Sequence, residues 1–528
     1  MRSTNMKNAL LKMRLVLGAI VGMALIATVA HAAAPGITGP GFSLIAQPAY
    51  LSQPDGQSVY SWGYGCNTQP SGWAPSAITP PSTGCPGMQV PGPTLIVTEG
   101  DTVTVSLTNM LPVSAGNTSI LFPGFTMLPY ADGTPGLITQ EAAHGSTVTY
   151  KFVASSPGTR FYYSGTQSDL QVEMGMYGAV IVLPKSVPGT CTTGVFASNA
   201  TARGFWGEKN FRLADAAYDS AKTCYDREYL FQFSEMDPNI HTQAESQVGA
   251  CAVSATPATC TLQVPTEPYH PAYFMINGRS MPDDMETNYT AEFPHQPYNG
   301  NPHMHPGEMV LLRIIGQGRW QHPFHEHANH VRILARDGNL ILSPDGTSLA
   351  GPALFTTTTT PGLAMDGIFY YTGRGLNWDM YGHNPASSDP SAKLACDPDA
   401  NGYNTTHPNA INYFEWCQDH NKPLQVAPFG DVAAGGPVTL PDPNILTNGA
   451  WYGGSPYLGP NATGRSVGST GTTPPSGTVA NSPSGEAGFA FMWHSHNERE
   501  ITTNNAFPGG MMMMMLIDSR EFVIDETN

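Results

Sequence analysis

Charge is scarce in this chain: Asp, Glu, Lys and Arg together make up 12% of 528 residues. The basic sign is the scarcer, with 23 Lys and Arg against 40 Asp and Glu and a net charge of −17. Nucleic-acid binding relies on Lys and Arg to neutralise phosphates, so this balance excludes a nucleic-acid binder. Beyond the first 32 residues no run is long and apolar enough for a transmembrane helix. Scarce charge beside 56 glycines and 47 prolines speaks against a helical protein and for a loop-rich β protein. No convincing short-period repeat is present.

What is there begins with an export signal. Arg2, Lys7, Lys12 and Arg14 form a basic n-region, and Leu15 to Ala27 an apolar h-region too short to span a bilayer. Ala30-His31-Ala32 then supplies a small-residue cleavage site. Residues 1–32 read as a signal peptide cleaved near Ala32, which sends the mature chain to the periplasm or out of the cell. Removing its four positive charges takes the net charge to −21. Such an acidic surface can attract cations, but solubility is the simpler reading. Eight cysteines in an exported chain point to disulfides. Sequential pairing (Cys66–Cys85, Cys191–Cys224, Cys251–Cys260, Cys396–Cys417) is expected, because each pair would brace a loop-like stretch.

Strand signals follow in two sets. Val103, Val105 and Leu107 alternate with Thr102, Thr104, Ser106 and Thr108, and Val148, Tyr150 and Phe152 repeat the pattern. Gly175 to Val182 reads as a buried strand. The second set is expected at 228–234, 273–276, 309–315, 325–335, 354–360, 367–372, 490–496 and 511–517. These define an N-terminal sandwich over 33–187, a linker over 188–224 and a C-terminal sandwich over 225–528, interrupted by a loop-rich insertion at 374–486. A separate small domain over the insertion is the alternative.

The chemistry lies in two histidine clusters, His322-Pro-Phe-His325-Glu-His327-Ala-Asn-His330 and His494-Ser495-His496. Strand side chains alternate faces, so His325 and His327 share one face, and His494 and His496 share one. Two such strands side by side would gather four imidazoles, a donor set for copper or zinc. His303 and His305, just upstream, could add outer ligands. Glu326, Glu498 and Glu500 could ligate, orient imidazoles or be plain surface acids. Met511 to Met515 is read as core packing by alternation, with Met511 alone in place for an axial ligand. His383, His407 and His420 lack pair spacing and read as surface or turn histidines.

These segments together resemble the multicopper oxidases, a family of linked cupredoxin sandwiches. Pro91 to Asp101 and on to Asn109 is similar to the family's opening strand pair. Asp132-Gly133, Thr139-Gln140, Gly158 to Ser164 and Met176 to Val182 follow in the family's order. The His322 cluster resembles the third copper motif, and Phe491-Met-Trp-His-Ser-His496 with Pro508-Gly-Gly-Met511 the fourth. The resemblance implies an all-β fold of tandem cupredoxin-like Greek-key sandwiches, with copper as cofactor and zinc or another divalent metal as the alternative.

Departures from the family pattern are as informative. Leu121-Phe122-Pro123-Gly124 stands where the first copper motif carries histidines, and Tyr163-Ser164-Gly165 where the second does. Ser495 replaces the type 1 cysteine and Glu500 the next type 1 histidine; a serine hydroxyl cannot form the covalent copper–sulfur bond of a blue site. The expected ligands are therefore His325, His327, His494, His496 and His322, with His330, His303, His305, Glu500 and Met511 as further candidates. The resemblance implies an oxidoreductase that is not a standard laccase. A copper-sequestering or delivery protein and a metal-free scaffold at the cell surface are the alternatives. Its partners would be a metal ion or small reductant, with room for a redox partner protein and for self-association. Assembly of a full cluster across subunits ranks last, because the first sandwich offers no histidines for it.

Overall fold

The structure, a computed structural model, describes residues 34–78, 84–129, 132–374, 376, 379, 381–383, 386–420, 454–458, 479–480 and 488–526. The expected signal peptide lies outside the described residues. No helix among them is long and apolar enough to cross a membrane.

Alternation becomes structure as physical chemistry requires. In strand Thr102–Asn109 the apolar positions are buried and the threonines and serines face out. It pairs antiparallel with Thr147–Val153, setting Val105 opposite Tyr150. With Ser58–Cys66, Gly41–Ser52 and Thr126–Met127 these form one sheet. Gly158–Tyr163, Tyr177–Leu183, Gly92–Thr98, Gly36–Thr38 and Trp73–Ala74 form the sheet that covers it. Trp62, Val103, Leu107, Tyr150 and Val180 fill the space between.

A second pair of sheets repeats the plan. One orders Tyr273–Ile276, Arg227–Met236, Met309–Gly316, Leu363–Tyr370, Val331–Arg336 and Asn339–Leu340. The other orders His303–Met304, Met512–Asp518, Gly488–Ser495, His322–Glu326 and Thr356–Thr359. Phe231, Leu312, Phe324 and Trp493 pack between them. Where the sandwiches meet, Ile96, Phe161 and Ile181 lie against Leu230, Ile315 and Ala364. The described residues form an all-β fold of tandem cupredoxin-like sandwiches, and most of the insertion expected at 374–486 lies outside them.

Three expectations change at this level. The run 325–335 is two strands, not one: His322–Glu326 ends at a bend where Ala328 takes φ +82°, and Val331–Arg336 enters the opposite sheet. The run 354–360 likewise divides between the two sheets. Helix Gly194–Trp206 occupies the stretch read as a linker, and helix Pro238–Ala252 starts at Asp237, whose side chain accepts from the Asn239 amide. All four cysteine pairs form as expected: 66–85, 191–224, 251–260 and 396–417. The methionine run also behaves as expected. Met511, Met513 and Met515 are fully buried in the core, while Met514 points away.

Candidate metal centre

Strands His322–Glu326 and Gly488–Ser495 pair antiparallel, with His325 directly opposite His494. Cross-strand partners share a face, and the even spacing of 494 and 496 puts His496 on that face too. The His496 amide continues the ladder by donating to the Pro323 carbonyl at 2.8 Å. His327, just past its strand, rejoins the group. From the His325 ring, the centroids of His327, His496 and His494 lie at 4.8, 5.1 and 5.6 Å. The His327 and His494 Nε2 atoms are 3.1 Å apart.

Three of the four rings are buried, and the His496 side chain is 53% exposed, so the group meets solvent at one corner. Burial first, then the neighbouring His327, His494 and His496, push the His325 imidazole down to about 4. Burial pushes His494 down as well. Both are neutral near pH 7, the form in which an imidazole donates a lone pair to a metal. Thr356 Oγ1 lies 2.8 Å from His325 Nδ1, and the Ser495 carbonyl 2.7 Å from His494 Nδ1. Each Nδ1 is held by an oxygen, which orients the ring as outer-shell partners of metal-binding histidines do. The donor chemistry fits copper or zinc.

His322 is not brought to this group. Residues 322, 324 and 326 share the core face of their strand, opposite His325. Its ring is fully buried, with Nδ1 2.9 Å from Glu500 and Nε2 2.9 Å from Glu235. Burial alone would lower its pKa, but the hydrogen bonds that the ring donates to the two carboxylates outweigh it and raise the ring to about 9. His322 is therefore an imidazolium clamped between two carboxylates, with no lone pair for a metal. Glu500 is committed to that clamp, accepting also from the Ser495 hydroxyl and from Asn497 Nδ2. Met511, whose carbonyl accepts from the Ser495 amide, stays in the core.

The remaining candidates lie elsewhere. His303 pairs with Asp518 at 2.6 Å, and His305 Nε2 with Glu208 at 2.8 Å, in a buried ionic network with Arg227, Glu308 and Arg520. His303 sits opposite Leu516, four residues along from the partner of His494, or about 13 Å at strand rise. His330 meets Phe355 edge to face, and the same Phe355 ring meets His325 edge to face. Glu326 faces the core and is pushed up to about 8 by burial. His383 and His420, read as surface or turn histidines, have side chains 7% and 6% exposed, and His420 lies in a turn.

Sequence reasoning missed Thr356, Glu235 and Glu173. Glu235 is an acidic residue beside the largely apolar run Tyr229–Phe233 of a strand that is buried throughout, which was the available signal. The Tyr269 hydroxyl lies 2.8 Å from Glu173 and 3.2 Å from Glu235, extending the clamp toward the first sandwich, and burial raises Glu173 to about 8. In the first sandwich the two ligand-poor stretches pack on each other. The Leu121 amide donates to the Tyr163 carbonyl, and a Cβ at Gly165 would stand 2.8 Å from Leu121 Cγ.

Residues 73–187 match the family model described as multicopper oxidase. Over 99 residues the chain is 37% identical to multicopper oxidase MCE of Talaromyces pinophilus, covering 18% of this chain and 16% of that protein. Over 96 residues it is 38% identical to the L-ascorbate oxidase of Brassica rapa subsp. pekinensis, again 18% and 16% of the two chains. The matched segment thus spans 16% of the length of each relative. Among solved structures, the blue copper oxidase of Nitrosomonas europaea aligns over 90% of this chain and 85% of its own, with 16% identity and a TM-score of 0.45. The two sandwiches of the described residues are cupredoxin-like in plan, and the matched segment, residues 73–187, is similar to the multicopper oxidases.

Proposed function

We propose that this is an exported copper-binding oxidoreductase that works at His325, His327, His494 and His496 and does not run a laccase cycle. The observation that carries the reading is the cross-strand meeting of His325 and His494, each with its partner histidine beside it on one sheet face. Copper bound there would supply one-electron chemistry. His325 and His494 would each bind it through Nε2, since Thr356 and the Ser495 carbonyl hold the two Nδ1 atoms. The half-exposed His496 gives a small reductant or metal ion a way in. Export rests on the leader-like first 32 residues and agrees with four disulfides.

A four-electron oxidase also needs a thiolate copper entry site and ligands from both sandwiches. Here Ser495, Glu500 and His322 form a closed ionic clamp, and Leu121, Phe122 and Tyr163 fill the first sandwich's ligand positions. A non-catalytic copper carrier remains the second reading, favoured by the nearly closed burial of three of the four rings.

Copper titration of the purified mature protein, followed by oxygen uptake with phenolic or metal-ion reductants, separates the two. Turnover that scales with bound copper is expected. Tight stoichiometric binding with no oxygen uptake would select the carrier. No binding at all would leave only the metal-free scaffold.

A further inference from the structure

An apolar hollow of about 180 Å³ opens on the second sandwich, on the sheet opposite the one that carries the histidine patch. We propose that it binds a small organic monocarboxylate with an apolar body, of the size and kind of benzoate, held at the rim by Lys222 and Arg332.

Strand register puts the hollow on a definite face. Arg332 stands opposite Ile368, and Ile368 opposite Leu311. Their strand neighbours Ile333, Phe369 and Leu312 point the other way, into the core. The outer face of this sheet is covered in steps along strand Met309–Gly316. At its far end the first sandwich packs on Ile315 and Ala364. Next, Tyr218 and Tyr225 pack on Leu311 and Leu334. At the near end the cover is incomplete, and Phe196, Met309, Leu349 and Ile368 stand half-buried around the hollow.

The rim supplies charge. Lys222 reaches the Thr347 carbonyl, and Arg332 Nη1 donates to the Gly351 carbonyl at 2.6 Å. A carbonyl positions a cation without neutralising it. Neither side chain forms an ion pair among the described residues, although acids far outnumber bases in this chain. Asp345, in the loop that Lys222 touches, is turned to that loop and accepts from Ser343 and from the Thr347 amide and hydroxyl. Two uncompensated cations beside open hydrocarbon match a ligand that carries both features. Arg332 keeps further N–H groups for a carboxylate, and Lys222 adds a second charge.

Size restricts the ligand. At about 30 Å³ for each water-sized group, the hollow takes roughly six of them. That is one phenyl ring, with its carboxylate left outside at the two cations. A bare anion such as sulfate would answer the rim and leave the apolar walls unfilled.

The site is independent of the copper reading, and its test keeps the two apart. Fluorine NMR of para-fluorobenzoate, titrated with the full mature chain in the presence of chelator, should show binding that benzoate reverses. Acetate, which has the charge and no ring, and para-fluorobenzyl alcohol, which has the ring and no charge, should each bind at least roughly tenfold more weakly. Lys222→Gln or Arg332→Gln should weaken benzoate by roughly tenfold. Ala221→Phe, which fills the hollow from its exposed lip, should abolish binding. His494→Ala with His496→Ala should leave it unchanged. Near-ultraviolet circular dichroism reports whether each variant is folded. Absence of binding, equal binding of the uncharged analogue, full binding by a folded Ala221→Phe variant, or loss in the histidine variant would overturn the proposal.

Discussion

Replacing His494 and His496 together with alanine is expected to abolish stable copper binding, weakening it by roughly 100-fold or more, while leaving the protein folded. The two rings face away from the core shared by Phe324, Trp493 and Met513, and the His496 side chain is half exposed. Their loss removes half of the imidazole donors without opening a core cavity. His325→Ala should do much the same, because its ring stands within 5.6 Å of each of the other three. Copper retained after desalting, with melting temperature as the folding control, reads the result. Unchanged copper content in the folded double variant would show that the metal binds elsewhere.

His322→Leu is the most destabilising single change expected. It would leave Glu235 and Glu500, both fully or nearly fully buried, facing an apolar side chain. Breaking a buried ion pair by removing one partner costs about 3–5 kcal/mol. The pKa gives a matching figure: raising an imidazole from 6.5 to about 9 corresponds to about 3 kcal/mol. Because the folded pKa lies above the unfolded one, this stabilisation is complete below pH 6.5 and is lost as pH rises through about 9. Denaturant unfolding should show a wild-type advantage at pH 6 that shrinks by pH 9.5. A difference that stays constant with pH would mean His322 is neutral in the folded state.

Most of the strand plan was legible because half-buried strands write their geometry into alternation. Thr102–Asn109 and Thr147–Val153 lie where the pattern put them. Ser58–Cys66 escaped notice because it is buried on both faces and so carries no alternation. The split of 325–335 is invisible for a different reason. Val331, Ile333 and Ala335 keep the parity of His325 and His327 across the bend, although the chain changes sheets there. Helix Gly194–Trp206 contains two glycines and an asparagine, weak helix formers held in place by tertiary contacts.

The site divides along the same line. The four H-x-H imidazoles were readable because spacing of two fixes the face locally. His322, three residues before His325, has the opposite parity, and the family motif obscured that simple fact. His303 and His305 were misplaced because their position depends on pairing with Met512–Asp518, more than two hundred residues away. Glu235 and Thr356 come from other strands for the same reason. No local pattern announces a long-range partner.

The most direct test of copper at the histidine patch is electron paramagnetic resonance and visible absorption of the protein purified from its own host, with metal content measured on the same sample. Bound copper with nitrogen hyperfine structure and no intense blue absorption is expected, since Ser495 offers no thiolate. Protein devoid of copper, or an intense blue thiolate–copper band, would contradict it.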